Sequence, residues 1–194
     1  LGGQFQRPVG TSFCSVSPLS GDPIAMGSEA TRDDVQQAVA DAQVAFLKWR
    51  EWPLLDRYKL LQRYGACLSA EKERLATLIT TEMGKPLWEA RLEVTAMVNK
   101  IDISYQAYQD RCVDSEHELG QSNLRVRHVP HGVLVVMGPF NFPGHLPNGH
   151  LVPALLAGNT VVFKPSEYTS LVGQFLGQCL LEAGLPSGVV SIVH

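Results

Sequence analysis

Asn141 is the first residue whose type and surroundings suggest catalysis. It follows an apolar segment and lies between Pro139 and Pro143 in the sequence GPFNFP. The two prolines restrict the backbone on either side, so the side-chain amide can be held in one place. A fixed amide is a good donor to an oxygen on which negative charge develops, an interaction worth about 3–4 kcal/mol in acyl-transfer sites. The alternative is that the asparagine only satisfies the backbone of a turn.

Lys164 and Glu167 are the first charged residues after a long uncharged stretch, and Pro165 and Ser166 separate them. The lysine can donate and the glutamate can accept a hydrogen bond, so together they can hold the two hydroxyls of a ribose. The alternative is a solvated ion pair at the end of a strand.

The uncharged stretch between these residues predicts the elements that position them. From His128 to Phe163 the chain has no Asp, Glu, Lys or Arg, which indicates burial. Prolines and glycines divide the stretch into pieces too short to cross a bilayer. The pattern predicts a strand at Val133–Met137 covered on both faces, with helices and strands alternating after it: helix 146–157, strand 160–163, helix 171–183 and strand 189–193. Such a parallel sheet binds ligands beyond the carboxyl ends of its strands.

The first part of the chain predicts a helical segment preceded by short strands. Residues 1–30 resemble a β-meander, and Thr31 is a good N-cap for a helix that Pro53 ends. Two amphipathic helices follow at 54–68 and 72–83, with Gly84 as C-cap, and a long helix begins near residue 87. The polar segment 112–121 leads to a half-exposed strand at 124–129.

Composition excludes several classes of protein. The chain is 45% hydrophobic and 18% charged, as in an ordinary globular protein, and its net charge of -3 disfavours a nucleic-acid binder. The four cysteines are scattered, so neither a zinc site nor a disulfide framework is predicted. His145 and His150 have no carboxylate nearby, and no metal site is expected. The absence of a signal sequence in the given residues favours a cytoplasmic protein that does not enter a membrane. Leu1 and His194 both look like cut ends, so a longer parent protein is expected.

The segment GPFNFP, followed by PALLAGNTVVFKPSE, resembles the aldehyde dehydrogenase superfamily, and so does the upstream E-x-G-K-P sequence of residues 82–86. The resemblance implies an α/β fold: a doubly wound parallel, Rossmann-like sheet of the aldehyde dehydrogenase type, incomplete here, with an N-terminal β-meander and helical segment. It also implies a division of the chain. Residues 1–111 and 131–194 would be part of the NAD-binding domain and residues 112–130 an oligomerisation hairpin, while the catalytic domain would be absent.

The resemblance also implies roles for individual residues. Asn141 would stabilise the oxyanion. The residues on the cofactor would be Met137, Gly138, Pro139 and Phe140 on the nicotinamide side, with Lys164, Ser166 and Glu167 near the adenosine ribose. Phe142 and His145 would line the substrate tunnel, and the small Gly144 and Gly149 would leave room for a large substrate. A carboxylate at Glu167 would repel a 2′-phosphate, which favours NAD over NADP.

The segments RLEVTAMVNKI and NFPGHLPNGHLVPALLAGN look most like the branch of the superfamily that oxidises N-succinylglutamate semialdehyde in arginine catabolism. The expected partners are a small aldehyde and further copies of the same chain. The family's nucleophilic cysteine and glutamate base match nothing in these residues, so the 194-residue chain is expected to be inactive by itself. Two alternatives stay open: a non-catalytic nucleotide-binding or assembly module, and a dehydrogenase of the same superfamily for another aldehyde.

Overall fold

The computed structural model describes residues 10–194, and within them helices and strands follow the predicted order. The helices are α1 Arg32–Trp49, α2 Leu54–Ala70, α3 Lys72–Met83, α4 Leu87–Arg111, α5 His145–Leu156 and α6 Ser170–Glu182. The strands are β1 Ser12–Val16, β2 Pro23–Ser28, β3 Ser115–Leu119, β4 Ser122–Val126, β5 Val133–Met137, β6 Thr160–Lys164 and β7 Val190–Ile192. A short 3₁₀ turn, Glu167–Thr169, precedes α6.

The N-terminal strands form an antiparallel hairpin of β1 and β2. The first nine residues of the predicted meander lie outside the described part of the chain. Helix α1 starts as predicted at Thr31, whose side chain accepts a hydrogen bond from the Asp34 amide at 3.2 Å. The Asp34 carboxylate in turn accepts from the Thr31 amide at 2.8 Å, which completes a capping box and fixes the helix start.

Strands β5, β6 and β7 form a parallel sheet in that order, which confirms the predicted alternation of strands and helices. Helix α1 packs on one face, where Ala38 and Ala42 contact Val162. Helices α5 and α6 cover the other face, on which Val161 and Phe163 lie. Because all three strands run in the same direction, their carboxyl ends meet at one edge of the sheet.

The prediction that β5 is covered on both faces is wrong. Leu134 and Val136 pack into the main core, but Val135 and Met137 are 66% and 73% exposed. Helix α1 reaches only the start of the strand, at Val133. The apolar, β-branched sequence of β5 indicates that the strand is suited to burial. It does not indicate that the described residues themselves cover both of its faces.

Helices α2, α3 and α4 form a further layer that packs on α5 and α6. The long apolar face predicted for α4 is buried at Ala90, Val94, Met97 and Ile101. With Tyr64 of α2 and Phe163 of β6, these side chains belong to one continuous core. The helical layer therefore fixes the crossover helices α5 and α6 from the side opposite the sheet.

Both ends of α5 are capped by charged side chains from this helical layer. Helix α5 has no acidic residue in its first turn, no basic residue in its last and no side-chain cap of its own. The Glu93 carboxylate of α4 accepts hydrogen bonds from the amides of Gly144 and His145, at 2.9 and 3.0 Å. At the other end the Arg57 guanidinium of α2 donates to the Leu156 carbonyl at 2.9 Å. Each charge has the sign that the helix dipole favours at that end.

Helix α6 has the same arrangement. It too lacks an acidic first turn, a basic last turn and a side-chain cap. The Glu82 carboxylate of α3 accepts from the amides of Leu171 and Val172, at 3.0 and 2.9 Å. Arg63 of α2 donates to the Ala183 carbonyl at 2.8 Å. We call Glu93, Arg57, Glu82 and Arg63 the four cap residues.

Strands β3 and β4 form a hairpin whose residues are all exposed except Ser115. The half-exposed strand predicted at 124–129 is therefore misplaced, because the strand is Ser122–Val126 and none of its residues is buried. An isolated two-stranded hairpin is marginally stable in water, so this one needs a cover.

Candidate functional site

The carboxyl edge of the sheet brings the predicted site residues together. Met137 and Lys164 are register partners at the ends of β5 and β6. The Gly138 amide donates to the Lys164 carbonyl at 2.8 Å, so the loop that follows β5 starts against the end of β6. A Cβ on Gly138 would lie 3.0 Å from atoms of Phe163 and Pro147, which explains why this position has no side chain.

Asn141 is an exposed residue of the loop between β5 and α5. Within residues 10–194 its side chain accepts and donates no hydrogen bond, so it does not satisfy the turn, which was the alternative role. Pro143 is buried and Pro139 is half-buried, so the loop is held on both sides of the amide. The geometry leaves an amide donor at the sheet edge that is available to a ligand.

Two buried charges of α4 and the preceding turn support this loop. As whole residues Lys85 and Glu93 are 6% and 4% exposed, and their charged groups form an ion pair with 2.5 Å between Nζ and Oε2. The Lys85 ammonium lies 4.0 Å from the centre of the Phe142 ring, next to Asn141 in the chain. In the sequence the segment E-x-G-K-P is only a family motif, and its contact with the loop is a finding of the structure. No local signal marks this contact, because the burial of Lys85 and Glu93 follows only from the packing of α4 against the loop.

Lys164 and Glu167 form an ion pair of 3.2 Å between Nζ and Oε2, with side chains 39% and 60% exposed. A hydrogen bond from its own backbone amide, and then Lys164, lowers the pKa of the Glu167 carboxyl, which is therefore negative at neutral pH. Ser166 is buried and accepts from the Tyr168 amide at 3.3 Å, so it shapes the turn. The pair presents one donor and one acceptor to solvent, and this arrangement fits both a ribose grip and a simple surface ion pair.

An exposed apolar surface surrounds these polar groups. Phe140, Phe142 and Leu146 are 54%, 39% and 39% exposed, and Phe140 packs edge to face on Tyr168 with ring centres 6.0 Å apart. The half-buried ring of His145 has a buried Nδ1 with no partner in the described part of the chain. Exposed aromatic groups beside hydrogen-bonding groups are typical of a surface that receives a ligand or another segment.

The expectation that Gly144 and Gly149 make room for substrate is wrong. A Cβ on Gly144 would lie 2.6 Å from Met97 Sδ, and one on Gly149 would lie 3.8 Å from Lys100 Cε. Both glycines therefore face α4. Gly144 lets the start of α5 approach that helix closely.

The cysteines lie on separate elements: Cys14 on β1, Cys67 on α2, Cys112 at the end of α4 and Cys179 on α6. Burial raises the pKa of both the Cys67 and the Cys179 thiol, the reverse of what a nucleophilic thiolate needs. Residues 10–194 contain no group of three or more His, Cys, Asp or Glu side chains placed to hold a metal ion. None of the helices in that range is both long and apolar enough to cross a membrane.

Residues 5–194 match the sequence profile of the aldehyde dehydrogenase family. The chain belongs to the aldehyde dehydrogenase family. Known structures of the family agree with the fold. The chain superposes with a TM-score of 0.95 and 28% identity on an NADP-dependent glyceraldehyde-3-phosphate dehydrogenase from Bacillus halodurans, covering 100% of this chain and 42% of the other. With an NAD-dependent benzaldehyde dehydrogenase from Corynebacterium glutamicum the TM-score is 0.92 at 29% identity, covering 99% of this chain and 42% of the other.

Two curated relatives of this chain carry the same name. The N-succinylglutamate 5-semialdehyde dehydrogenase of Chromohalobacter salexigens is 49% identical over 94% of this chain and 37% of its own length. The enzyme of the same name from Pseudomonas fluorescens is 47% identical over 100% of this chain and 40% of its own length. The chain thus spans well under half of the curated relatives that it matches.

Proposed function

We propose that this chain is the N-terminal, cofactor-binding part of an NAD-dependent aldehyde dehydrogenase that oxidises N-succinylglutamate semialdehyde to N-succinylglutamate in arginine catabolism. The observation that carries the proposal is the identity of 47% or more with dehydrogenases of that name along nearly the whole chain. The sheet edge supports it, because an available amide and a donor–acceptor pair meet there.

The residues at the sheet edge fit a nicotinamide dinucleotide. Lys164 would donate to one ribose hydroxyl and Glu167 would accept from another, since their charged groups lie 3.2 Å apart and both face solvent. The exposed Met137 and the side-chain-free Gly138 would lie against the nicotinamide side, with Pro139 and Phe140. When bound, the cofactor supplies the hydride acceptor. The negative charge of Glu167 would disfavour a 2′-phosphate, so we propose NAD rather than NADP.

Asn141 would act on the aldehyde itself. Its amide would donate a hydrogen bond to the carbonyl oxygen as negative charge develops there, and such a donor contributes about 3–4 kcal/mol in comparable sites. Phe142 and His145 would line the approach of the aldehyde. The family's nucleophilic cysteine and glutamate base match none of the given residues, and burial disfavours the thiolate of Cys67 and Cys179. We therefore propose that the nucleophile and the general base lie outside these 194 residues and that the chain alone has no dehydrogenase activity.

The domain division remains part of the proposal. Residues 1–111 and 131–194 would belong to the NAD-binding domain, and residues 112–130 would form the oligomerisation hairpin. The exposed β3–β4 hairpin supports this because it needs a cover, which another copy of the chain can supply. The four free cysteines suit a reducing compartment, and we propose the cytoplasm.

The test is the activity of the full-length protein that contains this segment. NAD reduction is measured with N-succinylglutamate semialdehyde and with the unsuccinylated semialdehyde, and each is repeated with NADP. We expect kcat/KM to be highest for the succinylated substrate with NAD. A higher value for an unrelated aldehyde would favour a different dehydrogenase of the family, and no turnover with any aldehyde would favour a nucleotide-binding or assembly module.

A further inference from the structure

The loop that carries Asn141 is held by a carboxylate that belongs to another element. One oxygen of Glu93, Oε1, accepts both the Gly144 amide at 2.9 Å and the His145 amide at 3.0 Å. The other oxygen, Oε2, is 2.5 Å from the Lys85 ammonium. These residues lie directly after the Asn141–Pro143 segment, so the carboxylate fixes the point where the loop becomes helix.

The buried carboxylate of Glu93 must be stabilised by its contacts. The Glu93 side chain is 0% exposed, and burying a charge is unfavourable unless it is paired and hydrogen-bonded. Three contacts from one cation and two amides satisfy it here. Since α5 offers no cap of its own, the first amides of the helix would have no partner without Glu93.

Lys85 reaches the other side of the same loop. Its ammonium lies 4.0 Å from the centre of the Phe142 ring, within the range of a cation–π contact. Phe142 follows Asn141 directly, so the Lys85–Glu93 ion pair contacts the loop on the residue next to Asn141 and again at the start of α5. An exposed loop is thereby attached to a buried pair of charges.

We propose that Lys85 and Glu93 are positioning residues for Asn141: they hold its amide where the oxygen of the aldehyde will develop charge. This inference rests on the proposed dehydrogenase function. Displacement of a catalytic group by about 1 Å can lower a rate about 10²-fold, so a support of this kind affects the chemical step more than cofactor binding.

The decisive variant is Glu93→Gln in the full-length dehydrogenase. Glutamine has nearly the same shape, but its amide nitrogen would face the Lys85 ammonium, so two donors would oppose each other and the loop must shift. We expect kcat to fall about 10- to 100-fold while the KM for NAD changes less than about twofold. Lys85→Met leaves the Glu93 carboxylate without its cation and is expected to have the same effect, a lower kcat with a nearly unchanged KM for NAD. This second variant is used if Glu93→Gln does not fold.

Glu82→Gln is the matched control. Glu82 is also a buried glutamate that accepts from two amides in the first turn of a crossover helix, but that helix is α6. Per folded molecule its kcat is expected to stay within about twofold of the unmodified enzyme. A similar loss of kcat in both glutamate variants, or a kcat unchanged by Glu93→Gln, would overturn the positioning role.

Amide hydrogen exchange gives a readout that does not depend on activity. Glu93→Gln should accelerate exchange at Gly144 and His145 about tenfold or more and leave Leu171 and Val172 unchanged, and Glu82→Gln should do the reverse. Equal rates at Gly144 in both variants would contradict the cap. A full-length protein without dehydrogenase activity would overturn the proposed function and the positioning role together, whereas an active enzyme insensitive to Glu93→Gln would overturn the positioning role alone.

Discussion

Arg57→Met is expected to destabilise the protein strongly, although Arg57 lies away from the Asn141 loop. Its guanidinium is buried and donates to three carbonyls, those of Leu156, Trp52 and Arg50. Methionine fills a similar volume but donates nothing. A buried acceptor left without its partner costs about 1–3 kcal/mol. Burial lowers the pKa of Arg57, which means that holding this charge in the core is itself unfavourable. Removing the charge therefore offsets part of the destabilisation, and we expect the free energy of unfolding to fall by about 3–5 kcal/mol.

The measurement is equilibrium unfolding in urea. The expected loss is a large fraction of the roughly 5–15 kcal/mol that stabilises a typical domain. Arg50→Met is the matched control: this side chain is 48% exposed, pairs with the exposed Glu51 and lies 5.6 Å from the centre of the Phe46 ring, so the loss should stay below about 1 kcal/mol. A loss for Arg57→Met no larger than the loss for Arg50→Met would refute the view that Arg57 closes the end of α5.

Three further predictions concern the site and its supports. Asn141→Ala in the full-length enzyme should lower kcat about 10²- to 10³-fold without changing the KM for NAD, and a normal kcat would exclude the oxyanion role. Glu167→Gln should raise kcat/KM for NADP relative to NAD, and a ratio that does not move would show that this carboxylate does not select the cofactor. Burial raises the pKa of the Glu82 carboxyl above its usual 4.5, so the folded protein holds this proton more tightly than the unfolded chain does. The resulting contribution to the free energy of unfolding is fully present below about pH 4.5 and is lost as the pH rises through the folded-state pKa. Urea unfolding at several pH values should show the free energy of unfolding of the unmodified protein falling over that window relative to the value for Glu82→Gln. A difference between the two proteins that does not change with pH would contradict this.

Much of the fold was predictable because it follows from periodicity and capping chemistry. Thr31 with Asp34 fixes the start of α1, and Gly84 ends α3 with a positive φ of 81°, a conformation that glycine adopts without strain. The parallel strands follow from apolar runs separated by helices. These are local signals, and the structure confirms them within one or two residues.

The rest depends on contacts between distant parts of the chain. The apolar sequence of β5 could not show that Val135 and Met137 have no cover within these residues. Nor could the small size of Gly144 show that it faces Met97 rather than a substrate. In the site, Asn141 was identifiable because its flanking prolines are local. Glu93 was not identifiable, because its role depends on contacts with the start of α5 that form only in the folded chain.

The four cap residues also have a consequence for the order in which the protein folds. They join positions far apart in sequence, from 51 residues for Glu93 and Gly144 to 120 residues for Arg63 and Ala183. During synthesis, α2, α3 and α4 emerge with these charges before the helix ends that they bind exist. The crossover helices α5 and α6 cannot complete their hydrogen bonds until such long loops have closed, which is a slow step. We therefore expect α5 and α6 to become protected together with their contacts to the helical layer, and pulse-labelled refolding in which they are protected earlier would contradict this.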